Sequence, residues 1–263
     1  MTTPAPLESR PSTSPADFIS QRRVFRLDEL RAEYRAMGRK PSAAHDTVAY
    51  HLGTGRLVVV RRGVYTHAEC SDPPLIASKL TADAVLSHEG ALLLRGLALD
   101  DHGCCFLTAT RTGITRYAGC VYQPIRVAPS SLWPDVETLE RSGQALRATT
   151  LERTYVDCLT RLDRSPPPEH LLKTFVATAP TLDVDRIIFT ARRSGSPLVT
   201  SRVAFFLACA RSALTRKQAQ HLERDGVQVP TYFLRSARTK NDALISPCNL
   251  IISAKLRRFW TGA

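Results

Sequence analysis

Residues 17–67 carry a succession of apolar spacings that leaves this stretch few ways to fold. Phe18 and Ile19 mark a short first helix. Across Leu27–Met37 the apolar side chains stand at 27, 30, 34 and 37, which is one face of a second helix. Asp28 and Glu29 in its first turn and Arg35 in its last complement the macrodipole, and Gly38 ends it. Pro41 and Ser42 open a third helix, with Ser42 as the expected N-cap. Ala44, Val48 and Leu52 repeat at i, i+4 and i+8, and Gly53 and Gly55 close the helix. Two β-like runs follow, 57–60 and 64–66, joined by the tight turn Arg61-Arg62-Gly63. Three helices and then a hairpin with a basic turn is the order of a winged helix-turn-helix. In that motif one helix buries its apolar stripe and lays its other face in the major groove.

The outward face of the third helix is expected to carry Ala43, His45, Asp46, Thr47, Ala49 and Tyr50. Charge gathers around it. Residues 35–62 hold Arg35, Arg39, Lys40, Arg56, Arg61 and Arg62 against Asp46 alone, six minus one or +5, within a chain of net charge +12. Such a cluster suits a polyanion. His45, Asp46, Thr47 and Tyr50 are the candidates for base edges, with Ser42 beside them. Arg39, Lys40, Arg56 and the hairpin pair Arg61 and Arg62 are the candidates for phosphate or minor-groove contact. The competing reading is an interaction module whose charges are merely solvated.

The remaining chain alternates helical and strand patterns, so the expected fold class is α+β: a winged helix-turn-helix followed by a mixed α/β domain. The expected boundaries are a disordered tail at 1–16, rich in proline, the DNA-binding domain at 17–70, and the second domain at 71–263. Helices are expected over 74–80, 87–97, 169–178, 182–194, 198–212 and 215–225, and strands over 104–108, 119–122, 125–128 and 250–253. Thr149-Thr150-Leu151-Glu152 reads as a capping box ahead of another helix. A second basic cluster, Arg235, Arg238, Lys240, Lys255, Arg257 and Arg258, faces only Asp242. It extends a DNA footprint, touches a nucleic-acid or nucleotide substrate of a partner, or only aids solubility.

Several classes drop out. The apolar run 203–210 is closed by Arg202 and Arg211, far short of the roughly 20 residues a membrane helix needs. The first residues have neither a basic start nor an apolar core, so no signal peptide is expected. Seven cysteines, an odd number without close pairing spacings, argue against a disulfide framework, the lack of C-x-x-C argues against a zinc ribbon, and Cys104-Cys105 read as strand residues; free thiols and no export signal together suggest the cytoplasm. His88-Glu89 lacks the second histidine of a metalloprotease helix, because position 92 is leucine. Asp100-Asp101 beside His102 reads as a solvated turn, Ser87 as an N-cap, and Arg153 with Asp157 as an i,i+4 ion pair. No phosphate-binding glycine loop is present, so neither an enzyme nor a cofactor nor a metal site is expected.

The segments 58–68 (VVVRRGVYTHA), 72–80 (DPPLIASKL), 85–97 (VLSHEGALLLRGL), 148–159 (ATTLERTYVDCL), 199–208 (VTSRVAFFLA) and 230–253 together resemble, in order, the AbiEi family. These proteins are antitoxins and autorepressors of AbiE-type (type IV) toxin–antitoxin systems. The resemblance implies an N-terminal winged helix-turn-helix that binds inverted repeats in its own promoter, and a C-terminal antitoxin domain. It implies as functional partner an AbiEii-type nucleotidyltransferase toxin, without a stable complex being required. The long second helix, and His45, Asp46 and His51 in the presumed reading helix, depart from the family, so no operator sequence carries over. A related group joins a similar front half to a nuclease-like tail, and this C-terminus lacks the Glu-x-Lys motif of such a tail. The alternatives are a winged-helix regulator without a toxin and a nucleic-acid enzyme acting through Asp100 and Asp101.

Overall fold

The computed structural model describes residues 14–98, 103–234 and 241–261. The chain is mixed α and β and divides into two compact units, residues 1–149 and 150–263.

The first unit begins with α1 (Pro15–Gln21), β1 (Val24–Arg26), α2 (Leu27–Ala36), α3 (Ala43–Gly53), β2 (Leu57–Arg61) and β3 (Val64–His67). Ser14 caps α1 by accepting from the Asp17 N–H at 3.1 Å. Phe18, Ile19, Phe25, Leu27, Leu30, Tyr34, Ala44, Val48 and Leu57 form one buried cluster. Each large apolar side chain in it contributes about 1.5–3 kcal/mol by leaving water. Phe18 meets Phe25 edge-on, ring centres 5.5 Å apart. The antiparallel strands lie in the order β1-β3-β2, with Phe25 opposite Tyr65 and Val59 opposite Tyr65 on the other side. Ser42 stands at the head of α3 but its side chain makes no capping bond. The helix is entered instead through a tight turn, with Ala43 and His45 N–H groups donating to the Lys40 and Ser42 carbonyls at 3.1 Å.

Position 70 lies inside this first unit. Val24, Val60 and Val64 of the small sheet share a core with Cys70, Leu75, Ile76 and Leu80. Then come α4 (Pro73–Lys79), β4 (Val85–Leu86), α5 (His88–Leu94), β5 (Gly103–Thr108), β6 (Thr115–Tyr117), β7 (Cys120–Arg126), α6 (Pro129–Leu132), β8 (Val136–Arg141) and β9 (Gln144–Thr149). The six strands form one mixed sheet in the order β6-β7-β5-β4-β9-β8. One face, with Leu86, Cys104, Phe106, Tyr122 and Leu146, packs against α4 and α5. The other, with Val85 and Leu107, is covered by Leu132 and Trp133. Helix α5 approaches β5 closely: a Cβ on Gly90 would lie 2.3 Å from the Cys105 carbonyl oxygen. Ser87 heads α5 without a capping bond, its Oγ lying 3.0 Å from His88 Nδ1.

The second unit holds α7 (Leu151–Thr160), α8 (Pro168–Thr178), α9 (Val184–Arg193), α10 (Pro197–Cys209), α11 (Arg216–Asp225), β10 (Thr231–Tyr232), β11 (Ala243–Ile245), β12 (Leu250–Ile252) and α12 (Ala254–Thr261). Helix α10 is its centre, and Tyr155, Phe175, Phe205, Phe206 and Phe233 pack around it as a chain of ring contacts. Arg202 of α10 is buried; its Nη1 donates to the Leu159 carbonyl and its Nη2 to the Phe233 carbonyl, both at 2.6 Å. The cap of α7 is Thr150, not Thr149, and Glu152 instead accepts from the Asp183 N–H at 3.2 Å. Arg153 and Asp157 form the expected i,i+4 pair at 3.4 Å. The basic residues at 255–258 lie on a helix, α12.

Candidate nucleic-acid interface

Two helix endings shape the candidate surface. Helix α2 stops because Gly38 takes φ +69°, a left-handed backbone that lets its N–H reach the Arg35 carbonyl at 3.0 Å while the Arg39 N–H reaches Tyr34 at 2.8 Å. Helix α3 ends the same way: Gly55 takes φ +69°, its N–H meets the Leu52 carbonyl at 3.1 Å, and the Arg56 N–H meets His51 at 3.0 Å. Both are Schellman closures. Each places an exposed arginine, Arg39 or Arg56, directly after the glycine.

Between these arginines α3 turns Ala44 and Val48 into the core. Ser42, His45, Asp46, Ala49 and Tyr50 are exposed, at spacings that form one stripe along the helix. Tyr50 is 62% exposed and meets the His51 ring edge-on at 5.3 Å. Lys40, in the turn before α3, and Arg62, at the tip of the β2–β3 hairpin, are exposed as well. Among the described residues no carboxylate forms an ion pair with Arg39, Lys40, Arg56 or Arg62. Asp46 in the first turn of α3 suits the positive end of its dipole.

Three expected contact residues are placed differently from the others. Thr47 is half-buried rather than outward-facing: its hydroxyl lies 2.5 Å from the Tyr34 hydroxyl and 3.3 Å from the Ala43 carbonyl, which turns it towards α2. His45 stays exposed, but its Nε2 is hydrogen-bonded to the Arg31 guanidinium of α2. Arg61 is half-buried, its Nη1 donating to Thr112 Oγ1 at 2.5 Å, and this burial lowers its pKa from the ordinary 12.5. Arg31 and Thr112 are not expected at the surface from sequence, and Tyr34 is expected only as part of the apolar face of α2. Their helix and loop positions carry no local mark of these roles, because each partner comes from another element.

Of the second basic cluster, Lys255, Arg257 and Arg258 are exposed on α12, and Arg235, Arg238 and Lys240 lie outside the described residues. Asp100, Asp101 and His102 lie outside them too. Among the described residues no group of three or more His, Cys, Asp or Glu side chains could hold a metal ion. The seven cysteines are free thiols, and burial pushes Cys104 well above its ordinary value and Cys209 up to about 12. Both thiols are therefore poor nucleophiles at neutral pH. Among the described residues no helix is long and apolar enough to cross a membrane.

No family model matches the chain, and no curated protein matches it in sequence. Among solved structures the chain is similar to the crystal structure of the RV2827C protein from Mycobacterium tuberculosis, with a TM-score of 0.61 at 18% sequence identity, over 91% of this chain and 90% of that one. At that identity the likeness is one of fold.

Proposed function

We propose that this protein is a DNA-binding antitoxin that represses its own operon through inverted repeats in the promoter and counteracts a nucleotidyltransferase-like toxin. One observation carries the DNA-binding half: the exposed stripe Ser42, His45, Asp46, Ala49 and Tyr50 on α3 is bordered by Arg39, Lys40, Arg56 and Arg62, none of them ion-paired among the described residues. The element order from α1 to β3 and the strand order β1-β3-β2 support reading this body as a winged helix-turn-helix, with α3 as the groove helix and the hairpin as the wing. The antitoxin half rests on the ordered resemblance of the segments between 58 and 253 to AbiEi proteins. The reading includes no chemical step, so the chain acts by binding.

The test is a mobility shift of the full chain on the DNA upstream of its own reading frame, beside a scrambled duplex, over a salt series. Stepwise binding to the upstream DNA alone is expected. Replacing Tyr50 by alanine should cost about 1–3 kcal/mol of discrimination at a single base position. Equal, steeply salt-dependent binding to both duplexes would reduce the surface to unspecific charge and end the repressor reading. Growth arrest by an adjacent nucleotidyltransferase-type reading frame, relieved on co-expression, is the expected sign of the antitoxin role. Repression without such a toxin would leave a stand-alone regulator.

A further inference from the structure

The connection between β5 and β6 is braced at both ends. At its start, Asp83 Oδ2 accepts from the backbone N–H groups of Ala109 at 2.7 Å and Thr110 at 3.1 Å. Its Oδ1 accepts from the hydroxyls of Thr108 at 2.7 Å and Thr110 at 3.1 Å. Further on, Thr112 Oγ1 takes the Arg61 Nη1 hydrogen bond, at 2.5 Å. Arg61 ends β2, next to the Arg62-Gly63 turn, so the connection is tied to the tip of the hairpin. Arg111 stands exposed between the two braces. Arg116 is exposed on β6, which is the edge of the six-stranded sheet, and Arg126 is exposed at the end of β7, in register with Thr108.

Residues 109–126 contain these three arginines and no carboxylate. Among the described residues none of Arg62, Arg111, Arg116 and Arg126 forms an ion pair. Four other cations of the same unit are matched: Arg26 with Asp28, Lys79 with Glu29, Arg95 with Glu137, Arg141 with Asp72. Open charge thus borders α3, at Arg39, Lys40 and Arg56, and continues on the hairpin tip and the connection tied to it. A loop held by this many bonds presents its arginines with little ordering cost, which favours a rigid, repetitive polyanion.

We infer that residues 109–117 form a second phosphate-contacting strip, in which Arg111 and Arg116 carry the grip on a DNA duplex from the hairpin tip past the half-site facing α3. The inference rests on the DNA-binding reading above. A B-form duplex fits better than duplex RNA, because the strip continues from an exposed helix stripe, and only the B-form major groove admits a helix.

The experiment is fluorescence anisotropy of the full chain on the duplex upstream of its reading frame, between 50 and 200 mM salt. The variants compared are Arg62→Ala, the double variant Arg111→Ala with Arg116→Ala, and the double lysine variant at 111 and 116. Circular dichroism checks that each is folded. The alanine pair should lower the salt slope by about two, so that the affinity lost across this salt range shrinks about tenfold, with the preference over scrambled DNA unchanged. The lysine pair should restore the slope. An unchanged slope in the alanine pair alongside a reduced one in Arg62→Ala overturns the strip and leaves the DNA reading standing. Absence of duplex binding by the unaltered protein overturns both. Tighter binding of an RNA hairpin than of the duplex, dependent on the same two arginines, overturns the duplex assignment.

Discussion

His51 illustrates how a side chain behind the candidate surface can set its pH tolerance. Its Nδ1 is buried without a hydrogen-bond partner, and its ring backs the exposed Tyr50. Burial first, then the nearby charges of Arg56 and His67, hold its pKa below the ordinary 6.5. In the folded chain the ring therefore stays neutral at a pH where the unfolded chain has already bound a proton. The stability this contributes is present above pH 6.5 and is lost as pH falls through the folded-state value. Melting curves from pH 7.5 down to 5 should show a larger drop for the wild type than for His51→Gln; equal drops would refute the assignment. Thr47 and Arg61 make a related point about contact residues. Both are polar residues on the candidate surface, and Tyr34 holds the Thr47 hydroxyl while Thr112 holds Arg61 Nη1, so each braces one element against another.

At the scale of elements, the surface depends on how tightly helices and strands close on each other. Helix α3 is presented by the Tyr34 and Arg31 contacts from α2, and the β5–β6 connection by Asp83. Helix α5 lies close on β5, where the missing Cβ of Gly90 makes room for the Cys105 carbonyl. Because that obstacle is backbone, a rotamer change cannot relieve it. Gly90→Ala should therefore destabilise the protein by about 1–3 kcal/mol, as overpacking does, read as a fall in the urea midpoint. A wild-type midpoint would mean that α5 slides on the sheet without cost. The same variant leaves every exposed arginine in place, so the folded fraction should bind DNA with an undiminished salt slope.

For the whole molecule, a net charge of +12 favours polyanions in general, and the distribution of that charge decides where the attraction is strongest. The second unit has its own centre in α10, where buried Arg202 bonds two backbone carbonyls and lies over the Phe233 ring at 5.3 Å. Arg202→Met keeps the apolar stem and deletes those bonds. It should lower stability by about 1–3 kcal/mol, because two buried carbonyls lose a charged donor. If DNA is gripped by the first unit, the salt slope on the upstream duplex should be the same as wild type. A changed slope, measured beside the melting temperature, would assign part of the grip to residues 150–263.

Much of the candidate surface was legible from spacing alone. Apolar residues at 27, 30 and 34, and at 44 and 48, determined which faces of α2 and α3 are buried, and so which residues of α3 face solvent. Gly38 and Gly55 marked both helix ends, and the two flanking arginines followed from them. Such features are local, since a helix period and a left-handed glycine need only neighbours in the chain. The β8–β9 hairpin went unread although the Ser142-Gly143 turn signals it, because Val136–Arg141 and Gln144–Thr149 alternate too weakly to stand out as strands. Strand β1 and the pair β10 and β11 are two or three residues long and exist only through their partners. Tertiary structure alone decided that Thr47 turns inwards and that Arg61 is tied to Thr112 51 residues away, which fastens the β5–β6 connection to the hairpin. Those outcomes depend on strand order and helix crossing, and a side chain's partner across such distances is chosen by which elements pack together, which no local period encodes.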